Sequence, residues 1–309
     1  MPNTKNSILQ KVSFSEIKRK DIQLYIKRED LIHPEISGNK YRKLKYNLLQ
    51  AQLENKKTLL TFGGAFSNHI SAVAFAGKLN GFKTIGVIRG DELGVDLDKT
   101  LQSNPTLRFA KECGMTFKFV SRTDYRTKTT SEFIQQLKNQ LGEFYLVPEG
   151  GTNDLAIKGC EEILTNETDK FDVICVAVGT GGTISGLINS AKSHQKILGF
   201  PALKGDFLKD EINKYVDQTE NWNLISQYHF GGYGKTSSEL ITFINQFKKE
   251  TGIPLDPIYT GKMLFGIVDL INSGYFKKET KILAIHTGGL QGIEGMNTIL
   301  KQRNSLIIE

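Results

Sequence analysis

The chain predicts an α/β architecture in two parts, with open, twisted, mostly parallel sheets flanked by helices. Three observations lead there. Short apolar runs alternate with amphipathic stretches along all 309 residues, the pattern of strand–helix–strand units joined by right-handed crossovers. Several apolar runs end in glycine-rich turns that lead directly into helix-like segments. No Gly/Ser linker, repeat or low-complexity tract interrupts the series.

Taken in order, Gln23 to Lys27 alternates apolar and polar residues and reads as a strand. Lys40 to Glu54 follows as a helix, because Tyr41, Leu44, Leu48 and Ala51 recur at helical spacing with lysines between them. Apolar runs then place strands at Thr58 to Phe62, Thr84 to Ile88, Thr116 to Val120 and Phe144 to Val147. Helices at Asn68 to Leu79, Pro105 to Cys113 and Ser131 to Leu141 separate them. Beyond Pro148 the series resumes with a helix at Asp154 to Leu164 and the wholly apolar strand ending Asp172 to Val178. Thr183 to Lys192 is the next helix and Lys196 to Phe200 the next strand. Helices at Ser237 to Glu250 and Lys262 to Ile271 precede a last strand, Lys281 to His286. Counting units gives a small inserted α/β domain over 43–147 and a large domain built from 1–42 and 148–309. In such sheets ligands lie at the carboxyl ends of strands, often between domains. Gly63 to Asn68, Gly179 to Thr183 and Thr287 to Gly289 fall at those ends.

Composition excludes several classes. Hydrophobic residues make up 39% and charged residues 24%, as in an ordinary globular protein. The net charge of +7 comes from scattered lysines such as Lys248-Lys249 and Lys277-Lys278, not from a basic block. That describes a solvated surface, so no nucleic-acid partner is expected. Cys113, Cys160 and Cys175 are odd in number and widely spaced, which argues against a disulfide framework and fits a reducing, cytoplasmic setting. Met1 to Val12 lacks an apolar signal region, and runs such as Val173 to Val178 are too short to cross a membrane. His33, His69, His194, His229 and His286 show no metal-ligand spacing.

Three segments carry chemistry. Gly179-Thr180-Gly181-Gly182-Thr183 follows an apolar strand and opens an apolar helix (Ile184, Leu187, Ile188). Its backbone N–H groups and the helix end suit a phosphate; a plain tight β–α turn is equally consistent with it. No Gly-Lys-Ser/Thr follows, and Ile184 stands where a dinucleotide fingerprint needs its third glycine. Lys40, in Ser37-Gly38-Asn39-Lys40-Tyr41-Arg42-Lys43-Leu44, sits at a helix start, where the local field disfavours a cation and so favours the neutral, nucleophilic amine. Gly63-Gly64-Ala65-Phe66-Ser67-Asn68-His69 forms a second nest of small and polar residues, suited to a carboxylate or serving as a helix N-cap. No Gly-x-Ser-x-Gly elbow is present. Tyr233 and Tyr259 lie in glycine-flanked turns, either as cleft walls and proton donors or as packing residues.

Together these segments resemble the fold-type II pyridoxal phosphate (PLP) enzymes, tryptophan synthase β-like in fold. Within them they resemble the family of D-cysteine desulfhydrase and 1-aminocyclopropane-1-carboxylate (ACC) deaminase. The resemblance covers nearly the whole chain through seven ordered landmarks. These are Ile26-Lys27-Arg28-Glu29-Asp30, Gly38-Asn39-Lys40-x-Arg42-Lys43-Leu44, Gly63-Gly64-x-x-Ser67-Asn68-His69, Pro148-Glu149-Gly150-Gly151-x-Asn153, Gly179 to Thr183, Tyr259-Thr260-Gly261-Lys262 and His286-Thr287-Gly288-Gly289. It implies that Lys40 forms the Schiff base with PLP, Asn39 binds the cofactor's phenolic oxygen, and Gly179, Thr180, Gly181, Gly182 and Thr183 bind its phosphate. Ser67, Asn68 and His69 are implied to bind the substrate carboxylate, with Ser67, Tyr233 and Tyr259 counted among the catalytic residues. A homodimer acting on a small amino acid is the implied assembly.

Two positions separate the siblings. ACC deaminases carry glutamate after the tyrosine equivalent to Tyr259 and leucine where this chain has Thr287. Here Thr260 and Thr287 follow the desulfhydrase pattern, with Thr260 expected on the substrate side and Thr287 near the ring nitrogen. A neutral hydroxyl strengthens the ring's pull on electrons less than a carboxylate does. Expelling a thiol needs less of that pull than opening a cyclopropane, so the expected reaction is α,β-elimination of D-cysteine to pyruvate, hydrogen sulfide and ammonia. ACC deamination to 2-oxobutanoate is the alternative. Two stretches depart from the family: Asp154-Leu155-Ala156-Ile157 after Asn153, and Lys204 to Tyr228.

Overall fold

Ten strands form two separate sheets in the computed structural model, which describes residues 4–36, 38–217 and 220–309. The strands are β1 (Leu9–Lys11), β2 (Gln23–Lys27), β3 (Thr58–Gly64), β4 (Lys83–Arg89), β5 (Thr116–Val120), β6 (Tyr145–Val147), β7 (Val173–Val178), β8 (Lys196–Pro201), β9 (Trp222–Leu224) and β10 (Lys281–Ile285). The larger sheet runs β1-β2-β10-β7-β8-β9 and the smaller β5-β4-β3-β6. Every pairing is parallel except β1 with β2. All strands of the smaller sheet lie between Thr58 and Val147, and those of the larger sheet lie outside that span.

Helices cover both sheets. They are α1 (Asn39–Leu53), α2 (Asn68–Asn80), α3 (Leu97–Ser103), α4 (Pro105–Glu112), α5 (Ser131–Leu141), α6 (Asp154–Glu161), α7 (Gly182–Ser190), α8 (Phe207–Asn213), α9 (Ser238–Thr251), α10 (Thr260–Asn272) and α11 (Gly292–Gln302). The eight predicted strands are all present within a residue or two of their expected ends. The two that sequence reading leaves out, β1 and β9, are three-residue edge strands, too short to show a period. Of the departures from the family pattern, Asp154 to Ile157 opens α6 under an Asn153 N-cap that accepts from Ala156 N at 2.9 Å. The 204–228 stretch supplies α8 and β9.

Central β7 is buried at all six residues, and β10 and β8 flank it on opposite sides. The chain therefore leaves β7 at a switch point, where a crevice forms at the carboxyl end. Apolar clusters line both faces of the larger sheet, and two more line the smaller one. Helix α1 joins the two halves. Its Tyr41, Leu44 and Ala51 pack into the core of the smaller sheet, while its backbone lies against α6 at Gly159. A Cβ at Gly159 would fall 1.9 Å from the Arg42 carbonyl oxygen, so only glycine allows this approach. Among the described residues no helix is long and apolar enough to cross a membrane.

Candidate active site

The charged run after β2 seats the start of α1. Glu29 is fully buried and accepts from Arg42 Nε at 2.8 Å and Nη2 at 3.0 Å, while its carbonyl accepts from Gly38 N at 3.0 Å. Gly38 has φ 60°, and a Cβ there would overlap the Thr287 carbonyl oxygen at 2.1 Å. Glycine is therefore the residue that lets the loop after β10 close onto the first turn of α1. Asn39 N also points at the Thr287 carbonyl, 3.4 Å away.

That first turn meets the glycine turn after β7. Asn39 Nδ2 donates to Thr183 Oγ1 at 2.9 Å. One helical turn on, Lys43 Nζ donates to Gly150 O at 3.0 Å and to Thr152 Oγ1 at 3.2 Å. A Cβ on Gly182 would lie 3.2 Å from the same nitrogen. Thr152 and Thr180 share a hydroxyl contact of 2.6 Å, which ties the Glu149–Thr152 turn to the cradle. Lys43, 2% exposed, thus stands beside the amides of Gly179–Thr183, with burial lowering its pKa. Sequence reading missed its role. Its place four residues after Asn39, on the same helix face, was the available signal.

Lys40 lies between these two contacts. Its side chain keeps a partial opening to the cleft, yet protein atoms crowd its ammonium end. Burial, with the Lys43 charge behind it, lowers its pKa from 10.5 to about 7. The helix field adds in the same direction.

The second nest follows β3. Ser67 N-caps α2, its Oγ accepting from Ile70 N at 3.4 Å, so its hydroxyl proton stays available. The first N–H groups of α2, on Asn68 and His69, have no partner within the helix. The His69 ring does not share this position. It is 2% exposed, and its Nε2 meets Thr61 Oγ1 at 2.8 Å while that hydroxyl donates to Val147 O at 2.8 Å. Burial first, then the Lys40 and Lys43 charges, hold the imidazole pKa well below the usual range. The ring, expected at the substrate carboxylate, is thus held against Thr61, while the His69 backbone N–H stands at the open start of α2.

The tyrosines close the far side. A Cβ at Gly179 would lie 3.2 Å from Tyr259 Cε1 and 3.3 Å from its Oη, so the ring rests against the cradle. Tyr233 meets it edge-on at 6.2 Å between centroids and is 45% exposed at the mouth. Burial raises both phenol pKa values, that of Tyr259 well above 10. Thr260 does not reach the cleft surface. It is fully buried, and its hydroxyl donates to Asp256 Oδ2 at 2.6 Å. The residue expected on the substrate side is thus bound to its own turn. Asp256 also accepts from the backbone N–H of Ile258, Tyr259 and Thr260 at 2.8–2.9 Å, and so fixes the turn that carries Tyr259. Sequence reading missed Asp256 as well. Thr287 is 8% exposed, beside the start of α1.

The residues fit a phosphate-bearing aldehyde. A glycine cradle and a buried lysine suit the dianion, an amine with a lowered pKa suits the aldehyde, and Thr287 is the neutral neighbour for a ring nitrogen. No cluster of three or more His, Cys, Asp or Glu side chains able to hold a metal occurs among the described residues.

Comparison with known proteins gives the family. The sequence model of the pyridoxal-phosphate dependent enzyme family matches residues 5–288. A Pyrococcus horikoshii protein provisionally named 1-aminocyclopropane-1-carboxylate deaminase is 32% identical over 87% of this chain and 85% of its own. The mitochondrial bifunctional D-cysteine desulfhydrase/ACC deaminase of Arabidopsis thaliana is 32% identical over 88% of this chain and 73% of its own. A solved structure described as an ACC deaminase homologue superimposes with TM-score 0.76 and 29% identity, covering 94% of this chain and 93% of that one.

Proposed function

Because the chain belongs to the pyridoxal-phosphate dependent enzyme family, among the ACC deaminases and D-cysteine desulfhydrases, we propose that it eliminates hydrogen sulfide from D-cysteine. The observation that carries the chemistry is the place of Lys40 in the first turn of α1, between Asn39, which donates to Thr183, and Lys43, which donates to Gly150. Bound there, PLP supplies an aldehyde that captures the substrate amine and a conjugated ring that draws off the electron pair left at the α-carbon.

The protein's own groups divide the remaining work. The amides of Gly179–Thr183, the Thr180 and Thr183 hydroxyls and the Lys43 ammonium hold the phosphate. Asn39 and Thr287 orient the ring. The Ser67 hydroxyl, the Asn68 side chain and the amides of Asn68 and His69 hold the substrate carboxylate. Lys40 Nζ takes the α-proton. Tyr259, protonated at neutral pH and packed against the cradle, gives a proton to the departing sulfur, and Tyr233 hydrogen-bonds it from the mouth. Aminoacrylate leaves the site and hydrolyses to pyruvate and ammonia. Proton transfers of this kind each contribute about 10²–10⁴-fold.

Choice of substrate rests on charge near the ring. Thr260 and Thr287 are both neutral, and the Asp256 carboxylate behind them is already bound by four donors. The division into a small domain at 43–147 and a large one at 1–42 and 148–309, the homodimer and the cytoplasmic setting belong to the same proposal. The three buried, unpaired cysteines favour that setting. The test is product analysis on PLP-loaded protein. Sulfide and pyruvate from D-cysteine, with little 2-oxobutanoate from ACC, are expected; 2-oxobutanoate from ACC without sulfide from D-cysteine would assign the other activity.

A further inference from the structure

Arg89 is a charged group at this site that the chemistry above leaves unused. It ends β4 in register with Gly64 of β3 and Val120 of β5, so it stands at the carboxyl edge of the smaller sheet, where the carboxylate nest begins. A Cβ on Gly64 would lie 3.8 Å from its Nη2, and Ser67 N is bonded to the Gly64 carbonyl at 3.0 Å. Arg89 is exposed. Its guanidinium lies 5.8 Å from the Tyr125 ring centroid, and among the described residues no hydrogen bond or ion pair holds it. Its charge is felt at Tyr233 across the cleft.

The neighbouring charges are otherwise spent. Glu149 accepts from Tyr125 Oη at 2.7 Å and pairs with Lys128 at 3.2 Å. Among the described residues Arg89 is thus left as an unpaired, planar cation beside Gly64, one loop from the carboxylate nest. A guanidinium so placed suits a carboxylate, sulfonate or phosphate.

We propose that Arg89 reads a second anionic group on the substrate, so that amino acids with a negatively charged β-substituent are the preferred class. This rests on the lyase reading and adds a substrate class beside D-cysteine. The α-carboxylate anchors, Ser67 to His69, lie at the start of α2, which leaves Arg89 for the distal end.

D-Aspartate and D-asparagine differ only in that distal charge, and neither carries a leaving group. Calorimetric titration of the PLP-loaded protein is expected to show D-aspartate bound about 10-fold more tightly, the contribution of one charge-assisted hydrogen bond. Arg89→Gln is expected to erase the difference and Arg89→Lys to keep part of it, with D-cysteine turnover little changed in both. Equal binding of the two ligands by the unaltered protein overturns the inference. So does an Arg89→Gln variant that weakens both ligands alike, since that outcome places Arg89 on the α-carboxylate. Turnover of D-cysteine on the same preparations separates the two claims: turnover without charge preference sinks only the Arg89 role. Charge preference without turnover of any amino acid sinks the lyase reading and leaves Arg89 as an anion reader.

Discussion

A buried lysine that gives up its proton near neutrality costs the folded protein stability while it is charged. Lys40 has its pKa lowered from 10.5 to about 7, through burial first and Lys43 second. The folded state therefore binds this proton less tightly than the unfolded chain does. The penalty is full below about 7 and fades as pH rises toward 10.5. Lys40→Met removes it. The cofactor-free variant is expected to melt above the parent protein at pH 7, with the gap closing by pH 10; a gap that widens with pH would contradict a depressed pKa. The phosphate role of Lys43 is checked at the same scale. Lys43→Met keeps most of the volume but deletes the charge beside Gly182. The PLP dissociation constant is expected to rise about 10–100-fold by equilibrium dialysis, the range for a hydrogen bond to a charged group. Unchanged affinity would remove Lys43 from the site.

At the scale of elements, the site is made by the way α1 lies on its neighbours. Glu29 and Arg42 tie the start of α1 to the end of β2, and Gly159 lets α6 approach the α1 backbone. With α1 so placed, Asn39 and Lys43 both reach the turn at the head of α7. Gly159→Ala would drive a methyl group into the Arg42 carbonyl, a backbone atom that cannot rotate aside. Overpacking of this kind costs about 1–3 kcal/mol or more. Thermal unfolding is expected to fall accordingly, with weaker PLP binding as α1 shifts. A variant with the parent's melting temperature and affinity would show that α1 is positioned otherwise. The elements themselves were largely legible, because long apolar runs such as Val173 to Val178 and the periodic helix after Lys40 declare their type. Short edge strands and helices such as α3 and α8 were not, since three to seven residues carry too little period.

For the whole molecule, sequence order and spatial order differ most where the function lies. Residues 39–43, 67–69, 179–183, 259 and 287 come from five separate stretches that the crevice at the end of β7 gathers together. Glycine turns after strands showed where each stretch would end. The partners inside the gathering could not be read, because they depend on packing between distant segments. The His69 ring turns inward because Thr61 and Val147 lie beneath it. The Thr260 hydroxyl is taken because Asp256 folds back on its own turn. Arg89 comes to the mouth through strand register.

Borohydride reduction of the PLP-loaded protein, followed by peptide mass mapping, tests the central assignment most directly. The account predicts one pyridoxyl-phosphate adduct, on the peptide containing Lys40 and on that residue rather than on Lys43. An adduct on Lys43, Lys262 or a surface lysine, or none at all, would contradict it.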